Sequence, residues 1–376
     1  MHTRNAENDS TLMTKRAFGL TVLLRIALSV QALCMTLDAS AAASGRPTAN
    51  TGVNTNSITN VAGIDLNAAQ QALEAWRLTD VQRTLSRSAK DADSQYIAAR
   101  LALGTYKHEA AQRLAAECEK LAVADAQRSR CSEVEGEALA LRVALSGDDL
   151  GTLGLAGRLK ATLQRATRVD PRNVRAQQLL ARYYRVAPWL LGGSASQANA
   201  CIAQAIRLQP ALADELRGID AFDARDYARA VPLLQRALRA QPQRAAPGYY
   251  LALAHEQLNN ADAARAQLAE TQRQFPEFWE ASFRLASFEV ESHPAQAAAL
   301  LRSYIARAGN AGQKRLAKSY RYLGQAEEHL GHRELAIDAY RRALKLKPGD
   351  NAADKALGRL MAASSAAAPR ATDAGN

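Results

Sequence analysis

The chain has 376 residues, of which 48% are hydrophobic but only 5% aromatic, so alanine supplies much of the apolar count. Side chains this small suit closely packed helices and exclude a β-sandwich or barrel, which needs β-branched and aromatic residues in alternation. The formal charge of +11 is spread along the chain without a Lys/Arg run, so it reads as solvated helix surface, and no nucleic-acid partner is expected.

At the start, Lys15-Arg16 precede an apolar stretch, Ala17–Leu24 and Ile26–Leu37, broken by Arg25 and followed by Ala39-Ser40-Ala41. Basic start, apolar middle and small-residue site are the three parts of a secretory signal peptide over 1–41. The protein is therefore expected to be periplasmic or secreted, its mature chain beginning near Ala42. The alternative is an uncleaved segment, Met13–Leu37, anchoring it in the inner membrane; only then is a membrane a partner. Arg25 weighs against that, because a charge at a spanning helix's centre costs a few kcal/mol. Residues 42–62, rich in Asn, Thr, Ser and Gly, read as a flexible linker.

From 63 to 362 the chain has one repeated character. Helix pairs are expected over 63–90, 91–124 and 128–173, then more regularly over 174–210, 211–244 and 245–278. A looser pair follows at 279–310, a clear one at 317–350, and a capping helix at 351–361. The Ala/Ser-rich tail, 363–376, reads as disordered. Prolines at 171, 210, 242, 276 and 348 punctuate this region, with spacings of 39, 32, 34 and 72, the last being two periods of 36. A period near 34 belongs to a helix-turn-helix repeat.

In 317–350, Tyr320, Leu323-Gly324, Gly331, Ala336, Tyr340, Ala343 and Pro348 stand at positions 4, 7–8, 15, 20, 24, 27 and 32. Gly218, Tyr227, Ala230, Leu234, Ala237 and Pro242 repeat the pattern in 211–244, and Leu251, Ala252, Ala264, Leu268 and Pro276 in 245–278. This resembles the tetratricopeptide repeat family, with two departures: Glu327 replaces the position-11 tyrosine and Thr271 the position-27 alanine. The resemblance implies an all-α fold, a right-handed α-α superhelical solenoid in which neighbouring repeats bury one continuous core. It also implies a protein-binding scaffold whose partner is a protein or peptide segment lying in a concave groove. Carried over position by position, the groove includes Arg175, Gln178, Arg182, Arg185, Glu215, Phe222, Tyr249, Glu256, Phe283, Arg321 and Gln325. If the arginine face at 175, 182 and 185 binds an acidic partner, charge reversal there is expected to weaken binding while leaving stability unchanged within about 1 kcal/mol.

No constellation of residues points to catalysis, a metal or a cofactor, and no enzyme is expected. His329 and His332 are three apart, but no acidic or cysteine cluster completes a metal site. The segment around Pro188, Trp189, Leu190, Gly192 and Gly193 is an insertion in the turn of 174–210. The preferred reading is that Trp189 and Leu190 fold back over the helix ends; the other is an apolar contact projecting towards a partner. Cys118 and Cys131 lie equidistant from a turn near Val123–Asp125, which places them at one height on antiparallel helices. A disulfide between them is expected, and Cys201 is expected to be a buried thiol.

Overall fold

The computed structural model describes residues 64–87, 90–145, 150–307 and 313–367. The expected leader and linker and the end of the tail, 368–376, lie outside these. Among the described residues there are seventeen α-helices and no strand. They form two compact units, one ending at Phe278 and the other beginning at Trp279.

The first unit is a stack of antiparallel pairs: α1 (Leu66–Glu74) with α2 (Leu78–Leu85), α3 (Ala92–Gly104) with α4 (His108–Leu121), and α5 (Asp125–Leu145) with α6 (Leu150–Val169). It continues with α7 (Val174–Val186) and α8 (Ala195–Leu208), α9 (Ala213–Asp223) and α10 (Tyr227–Ala240), and α11 (Ala245–Gln257) and α12 (Ala261–Gln274). The second unit holds α13 (Trp279–Glu289), α14 (Pro294–Arg307), α15 (Gln313–His329), α16 (Arg333–Leu346) and α17 (Asn351–Ala367). The capping helix expected over 351–361 thus runs on to Ala367, since Ala362-Ala363-Ser364-Ser365 contains no helix breaker.

Local chemistry sets where the helices start and stop. Asp65, Asp91, Asn173 and Ser194 accept a backbone N–H of the first turn of α1, α3, α7 and α8, which satisfies a donor that the helix itself cannot. The turn inside a pair repeats one device. Trp76, Tyr106, Arg225, Asn259 and Gly331 all have positive φ, between 50° and 75°. In each case the next N–H reaches back to a carbonyl five residues earlier, as Asp226 does to Ala221 and His332 to Glu327. That is a left-handed C-terminal cap, which reverses the chain sharply while satisfying late carbonyls. Arg225, Asn259 and Gly331 are the same position of the repeat.

Packing explains the small residues. A Cβ on Gly218 would meet Leu234 at 2.8 Å, and one on Gly324 would meet the Tyr340 ring at 2.7 Å. The paired helices approach too closely there for any side chain. Thr271, where alanine is usual, is buried and donates its hydroxyl to the Gln267 carbonyl at 2.8 Å, so its polar group is satisfied within its own helix.

Within the first unit, the first pair touches the last. Trp76 stacks on Phe278, Thr79 bonds Glu277 through both backbone and side chain, and Glu74 pairs with Arg244 at 3.3 Å. Side chains on the inner helices are enclosed by this closure.

Candidate functional site

The groove positions of the first unit are not an open face. Arg175, Gln178 and Arg182 are each only 2% exposed. Arg182 grips Asp223 with two bonds, of 2.6 and 3.0 Å, and its guanidinium lies over the Tyr250 ring. Arg185 holds Asp220 in the same bidentate way at 2.8 Å and also bonds Asn199. Glu215 is buried against Arg244, with bonds of 2.6 and 2.7 Å. Arg175 pairs with Glu137 and stands 3.6 Å from Glu133. Arg175 and Arg182 are therefore not an open face for an acidic partner, and the expectation that they are fails. Once the inner helices close on themselves, an arginine here must be paired inside or not buried at all.

Glu133 is the most constrained group of this interior. It accepts from the Tyr96 hydroxyl and from the Asn173 amide, both at 3.0 Å, and Glu137 lies one turn further along α5. Burial, reinforced by the Glu137 charge, raises its carboxyl above the usual range, against the pull of Arg100 and Arg175. Among the described residues Nε and Nη2 of Arg100 and Nη1 of Arg175 find no hydrogen-bond partner.

Other groove positions are structural as well. Tyr249 is buried beside Phe278, and Phe222 meets Tyr227 and Tyr250 edge-on. Glu256 is half-buried. In the second unit Phe283 is buried against Tyr304 and Tyr322, with Arg315 over its ring. Arg321 lies over Tyr322 and 3.6 Å from Asp350. Glu327, which replaces the family tyrosine, is buried and held by Arg302 and by His332. His332 is thereby occupied, and no cluster of three metal-ligating side chains exists among the described residues.

Gln325 is different. It lines a cavity of about 820 Å³ walled by the ends of α13, by α15 and by α17. Phe288, Val290, Tyr322 and Ala356 give it apolar surface, while Glu291, His329 and Lys355 stand at its polar edge. Glu328 in its wall is already committed, accepting from the Tyr340 hydroxyl at 3.0 Å and from Arg359 at 2.5 Å. Among the described residues the side chains of Gln325, His329 and Lys355 make no hydrogen bond or ion pair. Val290, Ala356 and Lys355 were not legible as site residues, because the α13–α17 wall joins residues beyond one repeat.

The insertion corrects the preferred reading. Trp189 is 80% and Leu190 50% exposed; Leu191 turns inward instead, onto the cluster of Leu179, Leu180 and Tyr183. Pro188 starts a single 3₁₀ turn that ends at Gly192, whose φ is +84°. At Gly193 a Cβ would collide with the Ala187 carbonyl, so the turn needs both glycines. Cys118 and Cys131 are joined as a disulfide with Cα atoms 5.5 Å apart. Cys201 is half-buried rather than fully buried, and burial pushes its thiol up to about 11, which leaves it a poor nucleophile.

A tetratricopeptide-repeat family model matches residues 221–287, and a second matches 317–350. No curated protein matches the chain. Among solved structures it is similar to human IFIT1, in its dimer with PPP-AAAA, at 16% identity and a TM-score of 0.51 over 78% of this chain and 74% of that one. It is similar to a chain of the APC/C hetero-tetramer Cut9-Hcn1 at 12% identity and a TM-score of 0.51, covering 79% of this chain and 55% of that one. PilF of Pseudomonas aeruginosa is similar at 16% identity with a TM-score of 0.44, over 62% of this chain and 99% of that one. Such identities speak to the fold alone. With repeat models matched in two regions and helix pairs closed by a recurring left-handed turn, this chain belongs to the tetratricopeptide-repeat family.

Proposed function

We propose that this protein-interaction scaffold is non-enzymatic and takes an extended or helical segment of a partner protein into the cavity between α13, α15 and α17. One observation carries the reading. The inner face of the first unit is closed and most of its charges are paired, whereas the second unit presents a cavity with unengaged Gln325, His329 and Lys355 beside apolar walls. A few placed polar groups on a mostly preformed apolar cleft are what peptide and ligand sites share. The test is selection of a displayed random-peptide library on the full chain. Peptides that bind the wild type and lose affinity for Gln325→Ala and Lys355→Glu variants support it; binders indifferent to both changes remove the cavity from the model.

The proposal includes a location outside the cytoplasm, with Ala42 near the mature N-terminus. The Cys118–Cys131 pairing supports this, because such bonds persist in oxidising compartments. A second reading keeps the Met13–Leu37 segment as an inner-membrane anchor, making the chain a subunit or assembly factor of an envelope complex. Mass spectrometry of the N-terminus in protein from its native host separates the two. An intact Met1 or Met13 rules out cleavage.

A further inference from the structure

We infer that the turn between α7 and α8 is a contact site for an anionic lipid surface, with Trp189 and Leu190 seated among the headgroups. The exposed pair does not belong to a loose loop. The Gly193 N–H bonds the Pro188 carbonyl, the Ser194 N–H bonds the Tyr184 carbonyl, and the Tyr183 hydroxyl donates to the Leu191 carbonyl, each at 2.9 Å. With Leu191 drawn into the core, the backbone directs residues 189 and 190 outward. From Pro188 to Gly193 the one side-chain hydrogen-bonding group is the indole N–H. A fixed apolar tip with a single donor matches the water–lipid boundary, where tryptophan concentrates because one end is apolar and the other wet.

The surrounding charge selects the kind of surface. Residues 150–208 contain nine basic side chains and one acid, Asp170. Arg165, Arg172, Arg175, Arg182 and Arg185 are paired with Glu135, Asp170, Glu137, Asp223 and Asp220. Among the described residues Arg158, Lys160, Arg168 and Arg207 have no acidic partner; the Lys160 ammonium, 6.0 Å from the centre of the Tyr184 ring, lies directly against Gly192, beside the tip. A cation without an acidic partner beside an interfacial tryptophan favours anionic headgroups. No described helix is long and apolar enough to cross a membrane.

Tryptophan fluorescence reads the site directly, because Trp76 and Trp279 are only 5% and 9% exposed. The full chain is titrated with vesicles of phosphatidylcholine alone and with vesicles containing phosphatidylglycerol, with and without brominated acyl chains. The expected result is a blue shift and bromine quenching in the anionic vesicles, absent in Trp189→Phe. Affinity should fall at least ~5-fold in Lys160→Glu, the order of one surface charge, and should weaken with salt. Three results overturn the inference: an equal response in neutral vesicles, a response that survives Trp189→Phe, or vesicle binding through another segment while Trp189 stays open to acrylamide. Shielding of Trp189 by an envelope protein fraction but not by anionic vesicles would overturn it in favour of a protein partner.

Discussion

Trp76 stacks on Phe278 with ring centroids 4.4 Å apart, and three residues further on Thr79 bonds Glu277 across 198 positions of sequence. This contact joins the first helix pair of the first unit to its last residues and encloses the charged interior between them. Trp76→Ala should cost about 3–5 kcal/mol, the usual range for a buried aromatic. Hydrogen exchange should then speed up in 66–85 and around Phe278 together. Faster exchange in 66–85 alone would mean that the contact does not fasten the closure.

Arg182 and Asp223 are both buried and doubly bonded. Arg182→Ala should destabilise by about 3–5 kcal/mol, because it leaves a carboxylate buried without a partner. The paired change Arg182→Met with Asp223→Leu should recover most of that loss. Urea unfolding of the wild type, Arg182→Met, Asp223→Leu and the paired variant gives the coupling, and additivity within error would deny that the two residues act as a pair.

Glu133 gives stability a pH dependence of defined sign. Its carboxyl pKa is raised in the folded chain by burial first and by Glu137 second. A carboxyl raised on folding contributes stability that is full below the unfolded pKa and lost as pH rises through the folded value. Glu133→Gln removes that loss, so its melting temperature should gain on the wild type as pH rises from about 4.5 towards neutrality. A difference that is flat over this range, or that shrinks, contradicts the assignment.

The left-handed turns permit a test without touching any contact. Arg225 has φ of 64° where the equivalent position at 331 is glycine. Arg225→Gly should stabilise by about 1 kcal/mol, and Gly331→Ala should cost about 1–2 kcal/mol. An added Cβ at 331 has no atom within 4 Å, so the backbone conformation alone accounts for the change. Denaturant midpoints at constant slope report both.

The Cys118–Cys131 bond closes a loop of sequence separation 13, for which chain entropy estimates about 3 kcal/mol. Non-reducing peptide mapping should recover the two cysteines as one linked pair, and Cys118→Ser with Cys131→Ser should lose roughly that stability. Alkylation of both thiols in untreated protein from its native host would refute the bond.

The sequence by itself determined the repeat. Alanine and glycine at 218, 230, 324 and 336 mark where paired helices touch, proline marks where they end, and these are local requirements that spacing exposes. The equal distance of Cys118 and Cys131 from their turn was legible for the same reason. Tertiary structure decided which inner face stays open. Whether Arg175 or Arg182 meets solvent depends on Glu137 and Asp223 of neighbouring helix pairs, contacts that no periodicity predicts. It likewise decided that Leu191 rather than Trp189 enters the core, because the glycines at 192 and 193 set the backbone direction of the tip. The cavity around Gln325 arises from side chains of four helices, two of them outside its own repeat, and their convergence is a property of stacking rather than of any one segment.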